Sequence, residues 1–170
     1  KVKYEGVRAL RMHQFDLAAK SLEHALQLNA EDLECRDYLS QAYISMGDLQ
    51  KAYAQLQKIS EAQTDNMAVL LRMADVAYMM EDYIAMTDVC DKALQLDAEN
   101  AETYFFYARA CRGLGDAPRA VSMLTEAIGK RDDFYAARLL RGSILLDQAQ
   151  LSEAELDATF LYEHIPGNED

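Results

Sequence analysis

The chain repeats itself every 34 residues, and that period restricts its fold more than any other property of the sequence. Gly6, Ser40, Ala74, Ala108 and Gly142 lie 34 apart, and Ala18, Ala52, Met86, Ala120 and Ala154 keep the same interval twelve positions later. Two further registers run in the same phase: Leu22, Leu56, Cys90, Leu124 and Ala158, and Ala25, Ile59, Ala93, Ala127 and Leu161. Self-similarity at this period marks an array of supersecondary units, none of which can bury its apolar face alone. The small residues have a physical reason. Two antiparallel helices joined by a short turn approach closely only where their crossing carries little side chain.

Within each period the apolar residues recur at helical spacing, as in Leu70, Met73, Ala74, Ala77 and Tyr78. Turn signals fall at one phase, in Met46-Gly47-Asp48, Glu81-Asp82, Gly115-Asp116 and Ala149-Gln150, with Asp48, Asp82 and Asp116 placed to cap the helix that follows. A second set, Leu28-Asn29-Ala30, Leu96-Asp97-Ala98 and Ile165-Pro166-Gly167-Asn168, separates one hairpin from the next. Pro118 sits in a first helical turn, where its missing N–H costs nothing. The spacing predicts ten helices, over about 1–12, 15–28, 33–46, 49–62, 67–80, 83–96, 101–114, 117–130, 135–148 and 151–164. Only seven glycines and two prolines punctuate 170 residues, which agrees with an all-α chain.

This pattern resembles the tetratricopeptide repeat family over essentially the whole chain. In the fourth repeat Tyr104, Tyr107, Ala108, Gly115, Asp116, Ala120, Leu124, Ala127 and Ile128 stand where the family places bulky, bulky, small, Gly, Asp, Ala, bulky, Ala and aliphatic residues. The resemblance implies an all-α, right-handed superhelical solenoid of antiparallel helix hairpins. It implies a single domain over 1–170, with repeats at about 1–32, 33–66, 67–100, 101–134 and 135–168. Met86 and Glu81 depart from the family's small residue and turn Gly, which predicts looser packing in the third repeat. Arg138 and Arg141 stand where apolar wedges are usual and leave the packing of the fifth hairpin open. Phe134-Tyr135-Ala136-Ala137-Arg138-Leu139 and Arg141-Gly142 are also similar to a stretch in the tetratricopeptide part of an endoplasmic-reticulum J-domain co-chaperone.

Acidic residues outnumber basic ones 29 to 17, for a formal net charge of −12. Such a surface is repelled by phosphate backbones and anionic lipid, so neither nucleic acid nor membrane insertion is expected. No apolar run approaches the ~20 residues of a spanning helix. His13, His24 and His164 are scattered, and Cys35, Cys90 and Cys111 show no Cys-x-x-Cys spacing. No metal site, cofactor or enzymatic activity is expected, since no phosphate loop, nucleophile elbow or metal-ligand spacing occurs. The three thiols read as structural and lean toward a reducing, cytoplasmic setting.

In tetratricopeptide proteins the first helix of every hairpin lines the inner surface, where peptides bind. Carried over by position, Tyr38, Arg72, Tyr78, Phe105, Phe106, Arg109 and Arg112 become the expected peptide-binding residues. Tyr, Phe and Arg are favoured at binding hot spots for their contact area and planar hydrogen bonding. The competing expectation is that Arg72 pairs with Asp75 or with an acid of a neighbouring repeat, and that Phe105 or Phe106 fills space between hairpins. The Lys/Asn/Asn/Lys/Arg clamp that one subfamily uses for chaperone tails is not matched, because its positions carry Lys3, Val7, Tyr38, Ala68 and Arg72.

The function expected is therefore a protein-interaction scaffold whose inner groove holds an apolar segment with at least one acidic group. The alternative is an assembly spacer that stacks on further repeats or on itself, or a non-catalytic part of a larger enzyme or sensor. Solenoids hide their terminal apolar faces under polar caps, and none follows the last helix. Leu156, Phe160 and Leu161 are thus expected to leave apolar surface for self-association.

Overall fold

The structure is a computed structural model that describes residues 1–165. Ten helices occupy it: α1 (Val2–Arg11), α2 (Phe15–Leu28), α3 (Leu33–Met46), α4 (Leu49–Ala62), α5 (Met67–Met79), α6 (Tyr83–Leu96), α7 (Ala101–Gly113), α8 (Ala117–Lys130), α9 (Tyr135–Asp147) and α10 (Leu151–His164). No strand occurs among the described residues. Every expected helix is present to within a residue or so at each end, while the turn signal after Ile165 lies outside the described residues.

The helices fall into two compact units, one spanning Lys1–Asp82 with α1 to α5 and one beginning at Tyr83 with α6 to α10. Within each unit every helix packs on the next in sequence. The first unit closes over Leu22, Cys35, Leu39, Ala42, Leu56, Met73 and Ala77, and the second over Met86, Cys90, Ala108, Cys111, Leu124 and Leu145, all buried. The small-residue register lets the helices meet as expected. A Cβ added at Gly6 would lie 2.7 Å from Leu22 Cγ and 2.9 Å from Leu22 Cδ2, so α1 sits on α2 at a distance only glycine allows without repacking. Met86, the bulky member of that register, is wholly buried on α6.

One backbone device closes the hairpin turns. His13, Gly47, Glu81, Gly115 and Ala149, each 34 residues from the last, adopt φ of 57°, 79°, 58°, 79° and 58°. The N–H of the following residue, at Gln14, Asp48, Asp82, Asp116 and Gln150, donates back to the carbonyls of Ala9, Tyr43, Ala77, Cys111 and Leu145, each at 2.9 Å. This six-to-one bond of the left-handed helix cap satisfies carbonyls that the helix end leaves open. The loss of glycine at position 81 therefore does not open the turn. Glu81 takes the left-handed conformation itself, against a steric cost on its Cβ.

Capping is distributed differently from the sequence expectation. Asp116 accepts from the Arg119 N–H at 3.1 Å, but Asp48 caps nothing and instead faces Lys51 Nζ at 3.4 Å. The stronger caps lie between hairpins, where Asp32, Asn66 and Asn100 accept from the N–H groups of Cys35, Val69 and Thr103 at 2.9, 3.1 and 2.9 Å. Asn29 and Asp97 fold the same connections by accepting from the N–H two residues on. Lys3 Nζ adds bonds of 2.8 Å to Asp32 and 2.7 Å to Glu34, tying α1 to the start of α3. Burial pushes the Asp32 carboxyl up, but the Lys3 bond and the Cys35 N–H outweigh it and hold the group below the ordinary carboxylate range.

Because the left-handed conformation costs a side chain about 1–2 kcal/mol, replacing Ala149 or Glu81 by Gly should stabilise the fold. Glycine's freer unfolded chain returns part of this, so a gain of about 0.5–1 kcal/mol is expected. A rise in the urea midpoint at unchanged m would show it, and Gly47→Ala should lower the midpoint by a similar amount.

Candidate functional site

The second unit gathers four of the expected binding residues on α7. Phe105, Phe106 and Arg109 are half-buried, and the Arg109 guanidinium stands 5.7 Å from the centroid of each phenyl ring. The two rings are 6.3 Å apart. Arg112, one turn further on, reaches Asp147 at 3.8 Å across an exposed pair that contributes little to stability. Cation and aromatic faces thus share one helix surface, an arrangement that can hold an apolar side chain and a carboxylate together.

Two residues that were not among the expected ones adjoin this patch, the buried Phe134 and the exposed Arg131. Phe134 packs its ring 5.0 Å from Phe105, and the Arg131 guanidinium stacks 3.7 Å above Phe134 while reaching Glu102 at 3.5 Å. Phe134 occupies the position where the earlier repeats place the caps Asp32, Asn66 and Asn100, and it gives no side-chain cap to α9. An aromatic in a capping register is a signal readable in the sequence. Its neighbour Arg131 likewise stands where Asn29, Gln63 and Asp97 precede it.

The other three expected residues lie in the first unit. Arg72 on α5 donates from Nη1 to Asp37 and from Nη2 to Ser40 Oγ at 2.9 Å, so it joins α5 to α3. Its partner is thus an acid of the preceding repeat. Tyr38, half-buried on α3, donates its hydroxyl to Glu34 at 3.4 Å and lines a cavity of about 510 Å³ beside α1. Tyr78 is half-buried on α5. Arg72 lines a second hollow of about 370 Å³ with Asp37, Asn66 and Val69.

The arginines that depart from the family pattern in the fifth repeat have a common target. Asp157 on α10 is buried, and Arg141 grips it with bonds of 2.7 and 2.6 Å while Arg138 lies 3.6 Å away. Arg141 also reaches Thr125 of α8, and Arg138 stacks 3.5 Å over Phe160, linking α8, α9 and α10. Phe160 is covered further by the His164 ring at 4.1 Å. Of the three residues expected to expose apolar surface there, Leu156 does so at 71%, whereas Phe160 and Leu161 are half-buried.

All three thiols are buried. Burial pushes the Cys90 thiol up to about 12 and raises Cys35 and Cys111 as well, which leaves little thiolate for chemistry. Among the described residues no group of His, Cys, Asp or Glu is placed to hold a metal, and no helix is long and apolar enough to cross a membrane.

A family model for the tetratricopeptide repeat matches residues 9–76, and the left-handed turn residue recurs at the same interval in the remaining hairpins. Residues 9–76 are thus similar to tetratricopeptide repeats. Among solved structures, a MamA fragment of Desulfovibrio magneticus RS-1 has a TM-score of 0.85 at 15% identity, covering 99% of this chain and 96% of that one. A thermophilic tetratricopeptide protein of Thermus thermophilus gives 0.69 at 17% identity, over 96% of this chain and 89% of its own. At such identities the likeness is one of fold. DnaJ homolog subfamily C member 3 of Mus musculus and of Homo sapiens is 40% identical over 65 residues, a stretch that is 38% of this chain and 13% of each relative. The tetratricopeptide fold is that of a protein-interaction scaffold, and the family is typically non-catalytic.

Removing the acid from the fifth hairpin should be costly, because two guanidiniums would lose their buried partner. Asp157→Ala is expected to destabilise the protein by about 3 kcal/mol, the lower end for a broken buried pair, since both arginines keep some access to water. Chemical denaturation of the variant beside Leu156→Ala, a change at an exposed position that should cost little, measures the difference.

Proposed function

We propose that the chain is a protein-binding scaffold whose first-helix faces receive segments of partner polypeptides, with α7 carrying the principal recognition patch of the second unit. The observation that supports this reading is the half-open pair Phe105 and Phe106 with Arg109 set 5.7 Å from both rings. A core pair would be covered, and an ordinary solvent face would not carry two phenylalanines. The segment it suits presents an apolar side chain together with at least one carboxylate. Arg131 extends the patch toward the connection between α8 and α9, its guanidinium lying over the buried Phe134 ring. In the first unit Tyr38 and Tyr78 belong to the same kind of face, while Arg72 contributes chiefly by fixing α3 to α5.

Five repeats over 1–168 acting as one interaction domain is the organisation that suits this role. A second reading, self-association, is favoured by the apolar side chains on α10, where Leu151, Leu156 and Tyr162 are 65%, 71% and 65% exposed.

Phe106→Ala should remove an apolar anchor and Arg109→Glu should repel a carboxylate, each weakening an identified partner by about 1–3 kcal/mol. Calorimetric titration reads the affinity, and circular dichroism should show both variants folded. Unchanged affinity in both would remove α7 from the binding face. Loss of fold would assign the two residues to the structure instead.

A further inference from the structure

The hairpin turns carry apolar side chains that the fold does not use. Met12, Met46 and Met80 share one register at the ends of α1, α3 and α5, and Leu114 holds the same position in the second unit. Met12 is 63% exposed, Leu114 51% and Met46 36%, so much of this bulk is left out of the packing. Turn closure does not require it. The fifth hairpin has Gln148 at that position and closes with the same 2.9 Å bond, from the Gln150 N–H to the Leu145 carbonyl.

In the first unit the turn edge is also hollow. A cavity of about 580 Å³ is lined by His13, Gln14, Phe15, Asp16, Leu17 and Met46, so the first turn, the start of α2 and the end of α3 enclose it. Leu17 is 53% exposed at a position that reads Lys51, Ala85, Arg119 and Glu153 in the other repeats. The half-buried Phe15 ring meets the His13 imidazole edge-on, with 5.7 Å between centroids and 77° between planes. The hollow is within the size range of ligand-binding clefts, and a thioether chain adapts to the shape of what it covers.

Charge decides the occupant. Asp16 is the one carboxylate of the lining, it is exposed, and among the described residues it forms no ion pair. Asp48, two residues beyond Met46, meets Lys51 only at 3.4 Å on an exposed surface, and the chain as a whole carries −12. A cationic segment is attracted to such an edge, whereas an acidic segment or an anionic lipid surface is repelled.

We propose that the turn edge of the first two hairpins docks a basic amphipathic helix of a partner polypeptide, its aliphatic side chains against Phe15, Leu17 and Met46 and a lysine or arginine on Asp16. This edge lies at the turn that joins α1 to α2. Its ligand is opposite in charge to the one proposed for α7, so the two readings stand or fall separately.

The test uses the whole chain and a labelled peptide, acetyl-Leu-Lys-Lys-Leu-Leu-Lys-Lys-Leu-Leu-Lys-amide, whose leucines share one helical face. Fluorescence anisotropy should show saturable binding that weakens as salt rises, and the peptide with Ser for every Leu, or Glu for every Lys, should bind at least tenfold more weakly. Leu17→Ser with Met46→Ser should lose at least tenfold and Asp16→Lys at least threefold. Leu28→Ser, at the opposite end of α2, should bind as the unaltered chain does. The methyl resonances of isotope-labelled methionines report the place of contact, and Met46 should shift most. Asp16→Lys and the methyl shifts keep the test decisive if circular dichroism shows the double variant unfolded. The proposal is overturned by equal binding of the serine peptide, which would make the attraction one of charge alone, or by an unchanged affinity in Asp16→Lys. It is also overturned if the Met46 methyl does not move, or if sedimentation shows that a second copy of the chain occupies this edge.

Discussion

Everything in this protein hangs on two helices being able to touch. A 34-residue unit has one short turn in which to reverse direction, and the reversal is made by a single left-handed residue whose successor bonds back to the helix just ended. Once the turn is fixed, the second helix arrives at a set position over the first, and the small residue at the crossing decides how near it comes. Gly6 shows the limit, with Leu22 filling the space a methyl group would need. The apolar registers then bury themselves as a consequence of geometry that short-range forces impose.

The same recurrence shapes where polar groups are free to act. Positions that close the hairpin turns are committed in every repeat, so variation falls to the capping positions, the open face of each first helix and the connections. In an acidic chain the arginines on those faces are the scarce charge. Several are absorbed by acids of the fold, Arg72 by Asp37 and Arg141 by the buried Asp157, and these tie neighbouring helices. The proposed recognition surface lies where guanidinium and aromatic groups share one helix face, on α7. Phe134 supports the α7 surface from beneath, giving up a helix cap for a buried ring.

The register of small and apolar residues was enough to locate ten helices, because period and amphipathicity are local properties of a chain. The left-handed turns were legible at Gly47 and Gly115, and less so at Glu81, where the backbone conformation is imposed by the hairpin against the preference of the residue. Asp48 looked like a cap, yet Lys51 competes for its carboxylate, and a choice between two partners within one turn is settled by side-chain position rather than by sequence.

Sequence by itself determined the helices, the hairpin period, the buried small residues and the charge of the chain, all of which follow from what neighbouring residues along the backbone can do. Tertiary structure alone decided which charges meet. Asp37 finds Arg72 across 35 residues, Asp157 draws in Arg141 and Arg138, and Lys3 closes on Asp32 and Glu34. Ion pairing depends on distances of a few ångströms between side chains far apart in sequence. A repeat period brings such residues near one another, and only the packed helices select among them.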